Sequence, residues 1–334
     1  MNSSAARAAV GDGARTRGRG RTAAGGCAAL ALSCATLVLG FRAADADGPT
    51  PVPQALAFLP WLLVPGGAGL ALAGIARWRT GMVWAVVVLA ATGWYARPYG
   101  SGTTGAQGPV VAELRVLTSN VEFGGATDGL IDTVRRERPD LVFVQECDLL
   151  CADALAARIP EAAYPYREVV RLDGSLGSAL LSRYPLRPAD PVDGVMAMPG
   201  SVADVAGRDV RLQLAHPLPP VPGRIGGWRD ELGRLRDFAA GARGGAVLLA
   251  GDFNASQDHA AFREVLDAGA LHDSARIAGR SRTYSWPADR RTPLRTQIDH
   301  VLVSDDFSVR SARFLDLSGT DHRALLVSLA LHDG

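Results

Sequence analysis

Lysine is absent from the 334-residue chain, and all 35 basic side chains are arginine. That absence excludes Schiff-base chemistry and a P-loop lysine before any motif is sought. A dominant charge is missing as well. With a formal net charge of +1, the chain is neither an acidic disordered tail nor a basic nucleic-acid arm. No internal repeat is visible, so solenoid and propeller architectures are set aside.

The near-neutral total hides a split. Residues 1–100 hold nine Arg against three acids, whereas residues 101–334 hold 26 Arg against 31 acids. Within the first part, residues 22–41, 55–76 and 81–96 are three apolar stretches without a charge, each near the roughly 20 residues that a bilayer-spanning helix needs. Three transmembrane helices are expected over 22–97, after a basic cytoplasmic tail at 1–21. Arg7, Arg15, Arg17, Arg19, Arg21, Arg77 and Arg79 then lie inside and only Arg42 and Arg97 outside, the orientation that the positive-inside rule favours. The rest of the chain is thereby placed on the extracytoplasmic side of the cell membrane. Read instead as a cleaved signal peptide, with Ala43 and Ala44 after its apolar run, the first stretch leaves that placement unchanged.

Residues 98–111 are rich in Gly and Pro and read as a linker. From 112 to 334 the pattern is α/β. Leu114–Val121 and Leu141–Val144 read as buried strands, flanking a helix with a possible cap at Thr127. A second helix runs through Leu232, Leu235, Phe238 and Ala242, ahead of the strand Ala246–Ala250. A short helix follows at 259–268, then strands at Ile298–Val303 and Leu325–Leu331. Cys147 and Cys151, four apart, could form a disulfide only where a helix starts irregularly. Cys27 and Cys34 read as small buried residues of the first apolar helix.

Polar residues at the strand ends carry the chemistry. Asn120 ends one strand, Glu146 another, Asp252 and Asn254 a third; Asp299 begins the strand IDHVLVS, and Asp321 and His322 precede the last one. Oxygen donors leaving several strands at one end of a sheet suit a hard cation such as Mg²⁺. His300, one step from Asp299 on a strand, points to the other face. It reads as structural, as do His259, His272 and His332.

In this order, TSNV, QE, AHPLPP, GDFNA, IDHVLVS and GTDHRALL resemble the endonuclease/exonuclease/phosphatase superfamily with its DNase I-like fold. The resemblance covers about residues 112–334 and implies a four-layer α/β sandwich. It implies Glu146 as the principal ligand of Mg²⁺ or Mn²⁺, with Asn120 beside it and Asp321 in the same network. His322 would be the catalytic histidine held by Asp299, while Asp252 and Asn254 would orient water and phosphoryl oxygens. His216 would be a second, phosphate-facing histidine, preceded by Ala215 where the family usually has Thr. Arg183 and Trp286 are each open between substrate contact and packing.

Within the superfamily the chain is similar to the membrane-tied teicoplanin-resistance proteins of actinobacteria. That similarity implies hydrolysis of a lipid-linked envelope phosphate, with the bilayer and that substrate as partners. An extracytoplasmic nuclease is the alternative, supported by Arg280, Arg282, Arg290, Arg291 and Arg295 and opposed by the acid excess of this part of the chain.

Overall fold

The computed structural model describes residues 3–289 and 292–333, with side chains from Arg19 onward. Arg7, Arg15 and Arg17 therefore lie outside the described side chains, and Arg290 and Arg291 outside the described residues. Two units are distinguished, one of residues 1–48 and 58–97 and one of residues 49–57 and 98–334.

The first unit is helical. Helix α1 (Ser3–Ala43) runs on through the sequence expected to be a separate tail. Helix α2 (Val52–Ala57), which overlaps only the first residues of the second expected stretch, belongs to the other unit; a 3-10 turn at Leu59–Leu62 leads into α3 (Leu63–Ala76), and α4 (Arg79–Tyr95) follows. Leu32, Ala35 and Leu39 of α1 pack against Ala85 and Val88 of α4. Close approach also needs Gly69, because a Cβ there would sit 2.7 Å from the Leu32 side chain. Outside this small core the helices expose Leu30, Val64, Ile75, Val83 and Val86, an inversion of the soluble pattern. Two segments, Arg19–Ala43 and Leu59–Ala76, are long and apolar enough to cross a bilayer. The expected third falls short: α4 has 17 residues, roughly 25 Å at 1.5 Å per residue against a hydrocarbon core of about 30 Å.

Two six-stranded sheets make the second unit. One is ordered β11-β12-β1-β2-β4-β3, from β1 (Val110–Asn120), β2 (Leu141–Gln145), β3 (Tyr166–Val170), β4 (Ser178–Ser182), β11 (Phe307–Asp316) and β12 (Arg323–His332). The other is ordered β5-β6-β7-β8-β10-β9, from β5 (Leu186–Val192), β6 (Met198–Val205), β7 (Arg208–Ala215), β8 (Ala246–Asp252), β9 (His272–Asp273) and β10 (Asp299–Val303). Each contains one parallel pair, β1 with β2 and β7 with β8.

Strand alternation sorts the residues into layers. Leu114 and Val116 face Leu248, Ala250 and Val301 across the sandwich interior. The intervening residues pack on helices: Leu117 and Val142 beneath α5 (Thr127–Glu137) and α6 (Leu149–Arg158), and Val247 and Leu249 beneath α7 (Ile225–Gly241) and α8 (Ala260–Gly269). Helix, sheet, sheet, helix is the expected four-layer order. A short α9 (Ser274–Ile277) completes the unit.

Local corrections are few; Cys27 and Cys34, expected to be buried, are exposed on α1. Thr127 is the first residue of α5 rather than its cap, and its Oγ1 donates to Gly124 O at 2.6 Å. Cys147 and Cys151 are bonded, Cα atoms 5.1 Å apart. The spacing works because Cys147 precedes α6, whose N-cap Asp148 accepts from Cys151 N. Arg183 sits at the far end of β4 beside Asp140, 3.3 Å away, and is a structural charge.

Candidate active site

Continuing the inward alternation of four strands by one step generates most of the site. After Leu114 and Val116, the inward positions of β1 end at Asn120; after Leu248 and Ala250, those of β8 end at Asp252. Ahead of Val301 on β10 stands Asp299, and beyond Leu214 on β7 comes His216. All four side chains are buried. Glu146 has the wrong parity for the interior, but its backbone turns left-handed at φ +56 and carries the carboxylate back toward Asn120.

Asn120 joins the two halves. Its Nδ2 donates to Glu146 Oε1 at 3.0 Å and to Asp252 Oδ2 at 3.1 Å, and its Oδ1 accepts from Glu122 N at 2.9 Å. In this orientation it fixes two carboxylates. Glu146 is also held by Phe123 N, which donates to Oε2 at 3.1 Å, and lies 3.8 Å from His216 Nε2.

The second cluster surrounds His322. Its Nδ1 donates to Asp299 Oδ2 at 3.0 Å, and its Nε2 stands 3.7 Å from both Asp252 Oδ2 and Asp321 Oδ1. Burial works against a charge on His322, but the carboxylates of Asp299 and then Asp252 outweigh it and push its pKa up to about 10. Asp252 moves up to about 7, mainly through burial, which His322 opposes and Asp299 reinforces. His216 is the opposite case. Fully buried and facing the charge on His322, it falls to about 3 and is neutral at physiological pH.

Asn254, also left-handed at φ +48, donates from Nδ2 to Pro217 O at 2.9 Å and from its backbone N to Asp252 Oδ1 at 2.8 Å. It thereby ties the loop after β8 to the loop carrying His216. All eight predicted site residues thus lie at one end of the sandwich. The packing histidines also stand as expected, with His300 buried 3.0 Å from Asp273 and His272 2.7 Å from Asp305.

Trp286, left open between substrate contact and packing, joins the site by donating from Nε1 to Asp321 Oδ2 at 2.7 Å. Two contributors escaped the motif reading. Glu122 Oε2 accepts from Asp321 N at 2.7 Å. Ser285 Oγ accepts from the backbone N of both Ile298 and Asp299 at 3.0 Å. Glu122 stands two residues after Asn120 and could have been found there; Ser285 has no signal in its own neighbourhood.

Cation-binding chemistry fits this donor set. One ligand atom each from Asp252, Asp299 and His322 lies within 4.8 Å of the others, and Asp299 Oδ1 is buried without a partner. Buried carboxylates in this number, with Asp252 driven toward protonation, are what a hard divalent cation would neutralise.

The profile of the Endonuclease/Exonuclease/phosphatase family matches residues 117–322. The chain belongs to this family. Solved structures share its fold. A humanised D. rerio TDP2 carrying 14 mutations superposes with a TM-score of 0.54 at 17% identity, covering 65% of this chain and 98% of that one. An endonuclease/exonuclease/phosphatase family protein from Bacteroides thetaiotaomicron gives 0.50 at 16%, covering 66% and 98%. One from Beutenbergia cavernae gives 0.50 at 20%, covering 66% and 72%. Among curated proteins, none matches the chain in sequence. Membership makes it a member of a family of metal-dependent phosphoesterases and nucleases, with hydrolysis of a phosphate ester as the reaction class.

Proposed function

We propose that this family member is a membrane-anchored, outward-facing phosphoesterase that hydrolyses a lipid-linked phosphate of the cell envelope. The observation that carries the reading is the His322–Asp299 pair beside Asp252, Asn120 and Glu146, in a chain whose N-terminal helices expose apolar side chains. Glu146 would be the principal ligand for Mg²⁺ or Mn²⁺, with Asp321 in the same network and Asn120 holding the Glu146 carboxylate. When bound, the cation supplies charge neutralisation on the phosphoryl oxygens. Asp252, poised near neutrality, accepts a proton from the attacking water, and Asn254 holds its carboxylate in place. His322, kept positively charged by Asp299, donates its Nε2 proton to the leaving oxygen as the P–O bond to it breaks. Neutral His216 donates a hydrogen bond to a phosphoryl oxygen without adding charge.

Three observations support the outward placement. Arginine distribution favours a cytoplasmic N-terminus, and the Cys147–Cys151 bond suits an oxidising compartment. Helix α2, which lies between the first two apolar segments, is part of the catalytic unit: His259 Nε2 donates to Pro53 O at 2.8 Å, and Gln54 Nε2 donates to Pro220 O. If the envelope phosphate is a wall-precursor carrier, a role in glycopeptide (teicoplanin) resistance follows.

The test is phosphate release by the detergent-solubilised chain from a polyprenyl pyrophosphate, a sugar phosphate and plasmid DNA, with and without Mg²⁺. Turnover of the polyprenyl substrate supports the reading. Rapid cleavage of DNA alone would replace it with the nuclease, whose electrostatic support is the arginine-rich stretch ending at Arg295.

A further inference from the structure

Large apolar side chains left in water are distributed unevenly over the catalytic unit. Ten are exposed among its described residues from 98 onward, and eight of them lie at the end of the sandwich that carries the site. Only Val110 and Tyr166 lie at the other end, where β1 and β3 begin. Chance scatter of surface apolar residues needs no explanation, whereas a patch concentrated at the mouth of a site does.

Six of the eight form a connected rim. Phe123 is on the loop after β1, Leu149 and Leu150 open α6 after β2, Leu172 and Leu176 are on the turn between β3 and β4, and Val195 is on the turn between β5 and β6. These loops touch. A Cβ on Gly124 would sit 2.5 Å from Asp148 Oδ1, and one on Gly174 4.0 Å from the Phe123 ring. Cys147 N donates to Gly177 O at 3.1 Å, and Ala197 N donates to Leu176 O at 3.0 Å. A groove of about 350 Å³ opens between Leu172 and Val195. The rim is continuous with the site, because Phe123 N holds the Glu146 carboxylate. Its tips are fully presented, with Leu150 76%, Phe123 60% and Val195 55% exposed.

Charge decides the kind of partner. Residues 121–126, 146–148, 171–177 and 193–197 hold five acids and a single arginine, Arg171, which pairs with Asp153 at 2.8 Å. A nucleic-acid backbone requires cations there. Aliphatic and aromatic tips with so little positive charge suit the apolar boundary of a bilayer, entered without dependence on anionic headgroups. The same chain carries bilayer-compatible helices, and the expected linker between Arg97 and Val110 is held on the catalytic unit, Tyr99 N donating to Gln257 Oε1 at 2.8 Å and Gly105 N to Asp305 Oδ1 at 2.6 Å.

The geometry points to this rim as a membrane-docking surface that sets the active-site mouth onto the outer leaflet, with Leu150, Phe123 and Val195 entering the acyl boundary. The inference rests on the proposed lipid-linked substrate for its purpose, and adds where the bilayer is met. Phosphate esters buried at headgroup depth then reach Glu146 and His322 without leaving the membrane.

The test uses the full chain in phosphatidylcholine vesicles containing doxyl-labelled phosphatidylcholine, with Cys27 and Cys34 replaced by Ala. An environment-sensitive fluorophore is placed on Leu150→Cys, Val195→Cys or, as the far-end control, Tyr166→Cys. Docking is expected to blue-shift the label and quench it at 150 and 195 and to leave 166 unchanged. Equal, unquenched spectra at all three positions would overturn the inference. Leu150→Glu should lower hydrolysis of a bilayer-embedded lipid phosphate roughly tenfold, the value of losing one buried leucine side chain, and leave a water-soluble phosphodiester unaffected. An equal fall on both substrates would also count against docking. Quenching without any lipid-phosphate turnover would keep the docking surface and remove the proposed substrate.

Discussion

Asp252 and Asp299 stand directly opposite one another on the antiparallel strands β8 and β10, both aimed into the space between the sheets. Like charges in register on neighbouring strands are unfavourable, and the protein resolves the conflict with a single imidazolium: His322 donates to Asp299 at 3.0 Å and lies 3.7 Å from Asp252. Removing the pairing carboxylate should therefore free the ring as well as lower its basicity. Asp299→Asn is expected to reduce kcat by about 10²- to 10⁴-fold and to move the His322 titration down, read by steady-state kinetics and by the NMR shift of the imidazole.

Stability should follow the same group. The folded-state pKa of His322, about 10, lies above its ordinary 6.5. Its contribution is fully present below about 6.5 and is lost as pH rises toward about 10. Thermal unfolding of the native chain should show a Tm that declines over that alkaline window, and His322→Gln should flatten the decline. A variant with an unchanged slope would remove His322 as its source.

If Glu146 holds the cation as proposed, Glu146→Gln removes a ligand charge and leaves Asp252, His322 and Asp299 in place. Half-saturation by Mg²⁺ should shift to higher concentration, with much of kcat recovered when the metal is raised. His322→Ala should show no such recovery, because a proton-bearing group is lost.

The apolar strands readable in the sequence put Asn120, Glu146, Asp252 and Asp299 at strand ends, whereas the strand that leads to His216, Arg208–Ala215, is not among them and His216 enters only through the family resemblance. Glu146 is different. Its parity points it at the helix layer, and only a left-handed backbone at that one residue returns it to the site, a feature that residue spacing does not encode. Trp286 and Ser285 reach the site from an irregular loop, where no period constrains direction. Helix α2 overlaps the start of the apolar stretch 55–76, and hydropathy, which counts composition and not contacts, does not separate it: its Val52, Pro53 and Leu56 are buried and belong to the catalytic unit.

That contact is open to measurement. His259 is fully buried, accepts from Ser256 N at 2.9 Å through Nδ1 and donates to Pro53 O at 2.8 Å through Nε2. Loss of such a buried hydrogen bond costs about 1–3 kcal/mol. His259→Ala and replacement of residues 49–57 by a Gly/Ser segment of equal length should each lower Tm. Combined, they should lower it by less than the sum, since both delete one interaction.

The same contact constrains topology. Residues 49–57 and 98–333 belong to one folded unit, so under the proposed anchoring they share a side of the membrane, and α3 and α4 together would cross it an even number of times. Crossing by α3 alone, the arrangement that length favours, would put Pro53 and His259 on opposite faces and break their hydrogen bond. The proposed outward placement therefore requires the short α4 to return across the bilayer; Arg97 stacks over its Trp94 ring at 4.2 Å. A phosphatase reporter fused after Gly105 should be active on intact cells, one fused at Thr80 should be silent, and a cysteine at Thr50 should react with a membrane-impermeant maleimide. Labelling of Thr50 with a silent Gly105 fusion would show a single crossing between them and refute the shared unit.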